Sequence, residues 1–227
     1  MKCLYNFEES FILNAMAQIH AEDWKITNEK LSDIAYRIKN TYTYEDLKEF
    51  YKEQGLSDKK ANKLELITWL DSLTLMDRVI DHENLDVKLC EDIKIIMEYQ
   101  FEDTLERIDY TLFHGKDIIL LEFGKYTKSD FNDSNFSYYF KKRVNEKTEQ
   151  LIKYEEKLKG LLDVTIRTKI YPVIYLPEYE LRGKRYVEIK ENIKKNKETI
   201  NGLVAYINNS FQKYRVSTVA YDLITSL

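Results

Sequence analysis

Two largely apolar runs broken by a short polar stretch single out Arg107 to Phe123 as two strands joined by a turn at His114-Gly115-Lys116-Asp117. Both arms are rich in β-branched and aromatic residues, and the turn holds a glycine. Ile93 to Phe101 reads as a third strand lying beside this hairpin, and Val164 to Leu176, interrupted by Pro172, as a fourth that suits a sheet edge or begins after the proline. Before them the period changes to that of a helix. Phe7, Phe11, Ile12, Ala15, Met16 and Ile19 recur at helical spacing within 5 to 40, with a break near His20 to Asp23 and a continuation through Leu31, Ile34, Ala35 and Ile38. Tyr44, Leu47, Phe50 and Tyr51 form another turn-by-turn face that stops at Gly55, and a Ser57-led helix carries Leu64, Ile67, Leu70, Leu73 and Met76. Asp81-His82-Glu83-Asn84 is a polar break.

Beyond the hairpin, the aperiodic stretch that follows Gly124 predicts a loop over the open end of the strands. Residues 140 to 160 predict a helix ending at Gly160, whose seam is Val144, Leu151 and Leu158. Arg143, Lys147, Gln150 and Tyr154 share a second, polar stripe on it. Tyr186 to Ile189 form a short strand candidate, and a lysine-rich helix is expected from Glu191 to Tyr214. With no internal repeat or low-complexity linker, the expectation is one domain over 1–227. It divides into a helical part at 1–90, a core at 93–177 and a helical end at 178–227.

Composition changes this picture little: 44% hydrophobic and 33% charged residues describe an ordinary globular chain. No apolar run is long enough to cross a bilayer, and the start MKCLYNFEES lacks the pattern of a secretion signal. Cys3 and Cys90 are isolated thiols, which points to a reduced, cytoplasmic protein. His20, His82 and His114 are scattered and give a zinc site little support. Charge adds more, because residues 1 to 113 hold 14 basic against 24 acidic side chains and the remainder 21 against 15. The second half is therefore where a polyanion would dock, although solvated helix faces account for such lysines equally well.

The candidate chemistry lies in the hairpin. Asp109 and Glu122 each sit among apolar neighbours, one per arm, and a carboxylate in such a strand needs a partner. That partner is either a cation such as Arg107 or Lys125, or a divalent metal ion. Gln150 and Tyr154 likewise read either as a site pair or as a helix-surface pair.

In their order along the chain, Arg107-Ile108-Asp109, Leu121-Glu122-Phe123 and the helix residues Gln150-Leu151-Ile152-Lys153-Tyr154 resemble the motifs of the PD-(D/E)XK nuclease superfamily. The Q-x-x-x-Y spacing is similar to that of its RecB-like branch, and the acids to the nuclease-like domain at the front of some superfamily-one helicase proteins. The resemblance covers residues 93 to 177. It implies an α/β, restriction-endonuclease-like mixed sheet flanked by helices, and metal-dependent phosphodiester hydrolysis of nucleic acid, DNA ahead of RNA. Asp109, Glu122 and the Phe123 carbonyl would hold Mg²⁺, with Mn²⁺ as the alternative ion, and Gln150 and Tyr154 would complete the site. Lys142 and Arg143 would bind substrate phosphates, and the upstream acid of the family corresponds to Glu8, Glu9 or Glu22. A second copy of the chain or a protein partner is compatible with this reading, as is a phage or defence setting.

The family's lysine normally stands two residues after the second acid, where this chain has Gly124, with Lys125 one residue out of phase. Three readings follow. A bulge at Gly124 turns Lys125 back towards the site, Lys147 on the helix takes over the role, or the site is silent and the scaffold binds nucleic acid or protein without cleaving it.

Overall fold

The computed structural model describes residues 4–6, 26–27, 30–53, 63–86, 93–101, 107–123, 136–162, 168–175, 200–211 and 219–225. Its centre is a six-stranded sheet whose strands, from one edge to the other, are Ile26–Thr27, Leu4–Asn6, Lys94–Gln100, Arg107–His114, Asp117–Phe123 and Lys169–Tyr175. Strands β3 (Lys94–Gln100), β4 (Arg107–His114) and β5 (Asp117–Phe123) are an antiparallel meander, and β6 (Lys169–Tyr175) joins β5 in parallel. Two short strands, β1 (Leu4–Asn6) and β2 (Ile26–Thr27), extend the other edge, with β1 parallel to β3.

The hairpin forms as its sequence predicts, with the turn narrowed to Gly115 and Lys116 because His114 pairs with Asp117. Gly115 has φ 60°, the left-handed conformation that a two-residue turn demands at its first position and that glycine adopts without steric cost. Pro172 lies in β6, at the edge of the sheet, where a missing N–H is tolerated.

Helices cover both faces. On one side lie α1 (Leu31–Thr41), α3 (Lys63–Ile80) and α5 (Ile200–Ser210), with α2 (Tyr44–Glu53) packed on α3. Leu31, Ile34, Ile38, Leu73, Met76, Leu203 and Ile207 meet Ile95, Met97, Tyr110, Leu112, Ile119 and Leu121 there in a single apolar cluster. On the other side lie α4 (Phe136–Leu162) and the short α6 (Val219–Ile224). Val144, Leu151 and Leu158 form the predicted seam of α4, packed with Ile118, Leu120 and Ile174. The Ala220 N–H of α6 donates to the Gly115 carbonyl, fastening that helix to the hairpin turn. A sheet buried on both faces explains why every residue of β5 is buried and why its sequence is almost continuously apolar.

Several local expectations change. The helix expected over 5 to 40 gives way to the strands Leu4–Asn6 and Ile26–Thr27, because pairing of β1 with β3, and of β2 with β1, outweighs local apolar spacing. Helix α4 starts at Phe136, inside the expected loop, and runs past Gly160 to Leu162. An added Cβ at Gly160 would meet nothing within 4 Å, and burial of Leu162 rewards the extra turn. Of the strand expected over Val164 to Leu176, residues 164–167 and 176 lie outside the described residues, as does the candidate strand at Tyr186 to Ile189. The C-terminal helix is described only from Ile200 to Ser210. Among the described residues no helix is long and apolar enough to cross a membrane.

Candidate carboxylate site on the helix-covered sheet

Parity along β5 sends Ile118, Leu120 and Glu122 to the α4 face, where Ile118 and Leu120 join that face's apolar cluster. Glu122 is thereby buried, with its side chain 3% exposed. Asp109 occupies the facing position of β4, at the end of the regular β4–β5 pairing, and is more open, at 40%. Backbone and side chains interlock at this point. The Phe123 N–H donates to Asp109 Oδ2 at 2.7 Å, and the Asp109 N–H donates to Glu122 Oε1 at 3.4 Å.

Lys147 comes down from α4. Its Nζ donates to Glu122 Oε2 at 2.7 Å and lies 4.0 Å from Asp109 Oδ2, with the side chain 18% exposed. Lys147, one of the two lysines considered from the sequence, therefore meets the acids, while Gly124 and Lys125 lie outside the described residues. The position follows from helical spacing, since Lys147 falls between the seam residues Val144 and Leu151 and so leans towards the sheet.

Burial, followed by the negative charge of Asp109, pushes the Glu122 carboxyl up to about 7, and Lys147 opposes that rise. Low-dielectric surroundings penalise the charged form, and a neighbouring carboxylate does so again. Glu122 therefore changes charge near neutral pH, unlike an ordinary surface glutamate.

Gln150 and Tyr154 are joined to each other and to the strand. Gln150 Nε2 donates to Tyr154 Oη, and Tyr154 Oη donates to the Arg107 carbonyl at 2.9 Å. Tyr154 is a buried side chain stacked on Phe101, with ring centroids 5.5 Å apart, so the pair is no helix-surface ornament. It braces β4 two residues before Asp109. The Arg107 side chain pairs with Glu98, at 3.9 Å. Lys142 is an exposed residue whose Nζ lies 3.9 Å from Glu146, one turn on. Arg143 belongs to α4 but its side chain is outside the described residues, as are Glu8, Glu9 and Glu22.

Glu98 is the neighbour that sequence reasoning missed. Nothing in IKIIMEYQF distinguishes it from a solvent-facing strand residue, and its backbone conformation has no sequence signal. No group of three or more His, Cys, Asp or Glu side chains arranged to hold a metal ion occurs among the described residues. What the site offers a cation is a pair of hard carboxylate oxygens, one buried and one accessible, a donor set that fits Mg²⁺ or Mn²⁺ rather than a soft ion. No family model, curated protein or solved structure matches the chain.

Proposed function

We propose that this chain is a metal-dependent nuclease, acting on DNA ahead of RNA in the cytoplasm, and that its mixed sheet is a restriction-endonuclease-like core. The observation that carries the reading is the convergence of Asp109, Glu122 and Lys147 on one face of the sheet. Two adjacent carboxylates in partly dry surroundings are costly unless cationic charge meets them. Asp109 and Glu122, with the Phe123 carbonyl, are the groups that would hold Mg²⁺ or Mn²⁺. A bound divalent ion supplies Lewis acidity towards a phosphate oxygen and acidifies a water.

The chain's own residues have distinct tasks in this reading. Glu122, whose carboxyl is held above the ordinary range by burial and by Asp109, would give up its proton on becoming a ligand. Lys147, anchored on Glu122, offers ammonium N–H donors to a phosphate oxygen or a water and fills the role left open at Gly124. Gln150 and Tyr154 hold the start of β4 and so fix Asp109. Lys142 and Arg143, near the beginning of α4, would track phosphates of the substrate strand. The test is Mg²⁺-dependent cleavage of single- and double-stranded DNA by the wild type and Asp109→Ala. Cleavage by the wild type alone supports the assignment, and equal cleavage by both removes it.

One observation favours a second reading. The 2.7 Å bond from Lys147 already satisfies part of Glu122 without any ion, as in a structural ion pair. The chain would then be a catalytically silent scaffold that binds nucleic acid or a protein. Titration with Mn²⁺ separates the two readings, because a silent scaffold shows no tight binding that depends on Glu122.

A further inference from the structure

Alternation along β3 and β4 breaks at one shared point. On β3, Ile95 and Met97 face the cluster under α1 and α3, and unbroken alternation would send Tyr99 and Phe101 there too. Phe101 instead belongs to the α4 cluster, with Tyr99 packed against it. On β4, Leu112 and Tyr110 face α1 and α3, whereas Ile108, two residues before Tyr110, is in the α4 cluster. Met97 pairs with Tyr110 and Tyr99 with Ile108, so both strands change face between the same two rungs. The residues at the skipped rung are Glu98 and Asp109.

Glu98 has φ 53°, a left-handed conformation rare for a residue with a β-carbon and rarer still within a strand. It is the sole non-glycine residue with positive φ among the described residues. Its carboxylate, with a side chain only 12% exposed, lies 3.9 Å from the Arg107 guanidinium. The Arg107 carbonyl in turn accepts the hydrogen bond from Tyr154. The turned segment is therefore held from two sides, by Glu98 on β3 and by α4.

We infer that Glu98 is a positioning residue for Asp109: its left-handed backbone turns the paired strands over at this rung and so brings the Asp109 carboxylate to the Phe123 N–H, beside Glu122. At a regular rung, the Asp109 N–H and carbonyl would both bond to the backbone of one neighbouring strand, to Glu98 on β3 or to the residue opposite on β5. At this rung the ladder bonds give way to bonds with side chains, the Asp109 N–H to Glu122 and the Phe123 N–H to Asp109. Backbone strain that persists beside a site is maintained by the surrounding contacts, here the Arg107 and Tyr154 bonds. The functional value of the arrangement rests on Asp109 being a metal ligand; the geometry does not.

The test is a series at one position, Glu98→Gly, Glu98→Asn, Glu98→Gln and Glu98→Val, read by amide hydrogen exchange at Phe123 and by calorimetric titration with Mn²⁺. Glycine and asparagine accept positive φ, glutamine keeps the shape without the charge, and valine resists the conformation. The expected result is protection at Phe123 and Mn²⁺ affinity within about threefold of wild type for Gly, Asn and Gln, and a loss of about tenfold in both for Val, whose β-branch adds to the left-handed penalty that glutamate already bears. Should Val not fold, Glu98→Thr, which is also β-branched, takes its place with the same ordering. Indistinguishable Gly and Val variants would overturn the inference, as would affinities that follow the charge of the side chain. Protection that follows the expected order in proteins that bind no Mn²⁺ would uphold the positioning role and remove the nuclease reading.

Discussion

Asp77 lies beneath the first turn of α1 on one side of the sheet, and Glu122 beneath α4 on the other; both carboxylates are buried, at 6% and 2% exposure. Asp77 accepts from neutral donors. It accepts the Leu31 N–H at 3.0 Å, the Ser32 N–H at 2.7 Å and the Ser32 hydroxyl at 2.6 Å. These are the free groups of a helix N-terminus, and because Lys30 provides no side-chain cap, Asp77 caps α1 from another helix. Glu122 meets a second carboxylate and one lysine instead, and its proton affinity rises. Donors fixed around a carboxylate make it structural, whereas an acid set against another acid retains a demand for cationic charge. Burial alone does not separate the two roles; the identity of the neighbours does.

The sharpest way to break this comparison is activity. Asp109→Ala or Glu122→Ala is expected to lower Mg²⁺-dependent cleavage by about a hundredfold or more, the scale on which removal of a transition-state-stabilising group is felt. Asp77→Ala, assayed at a temperature where it is folded, is expected to cleave like the wild type. Stability should reverse the ranking. Asp77→Ala forfeits a cap and three bonds to a buried charge, an expected loss of about 2–4 kcal/mol in chemical denaturation.

A smaller effect concerns pH. The folded-state pKa of Glu122 lies above its unfolded value, 4.5 moving to about 7. Below 4.5 the group is protonated in both states and contributes no difference. Between those values the folded protein holds the proton more tightly, so stability falls as pH rises through the window, by an amount on the order of 1–3 kcal/mol. Above about 7 the penalty is complete. Denaturation of the wild type from pH 4 to 8 should contain this slope, and Glu122→Gln should lack it. The smallest effect is at the surface. Lys142 and Glu146 are each more than half exposed, so Lys142→Ala should change stability by less than about 0.5 kcal/mol. If Lys142 touches a phosphate, the same variant lowers the salt slope of DNA binding by about one.

The central hairpin was legible because its two arms, β-branched and aromatic on both sides of a glycine turn, match a doubly buried sheet and little else. Asp109 and Glu122 stood out for the same reason, as acids within apolar runs. Lys147 was legible only as one of two candidate lysines, since helical spacing gave its stripe but not the depth of α4 against β5. The three missed features share a cause. The face change at Glu98 depends on a backbone torsion for which glutamate carries no signal. The cap supplied by Asp77 joins residues 45 and 46 positions apart. Strands β1 and β2 are three and two residues long and exist through the pairing of β1 with β3 and of β2 with β1, not through their own pattern.

The central claim is that Asp109 and Glu122 hold a divalent ion while Asp77 does not, and calorimetric titration with Mn²⁺ addresses it directly in the wild type, Glu122→Gln and Asp77→Asn, each at a temperature where it is folded. The account predicts binding by the wild type, retention in Asp77→Asn and loss in Glu122→Gln. Equal binding by the wild type and Glu122→Gln, or no binding by the wild type, would contradict it.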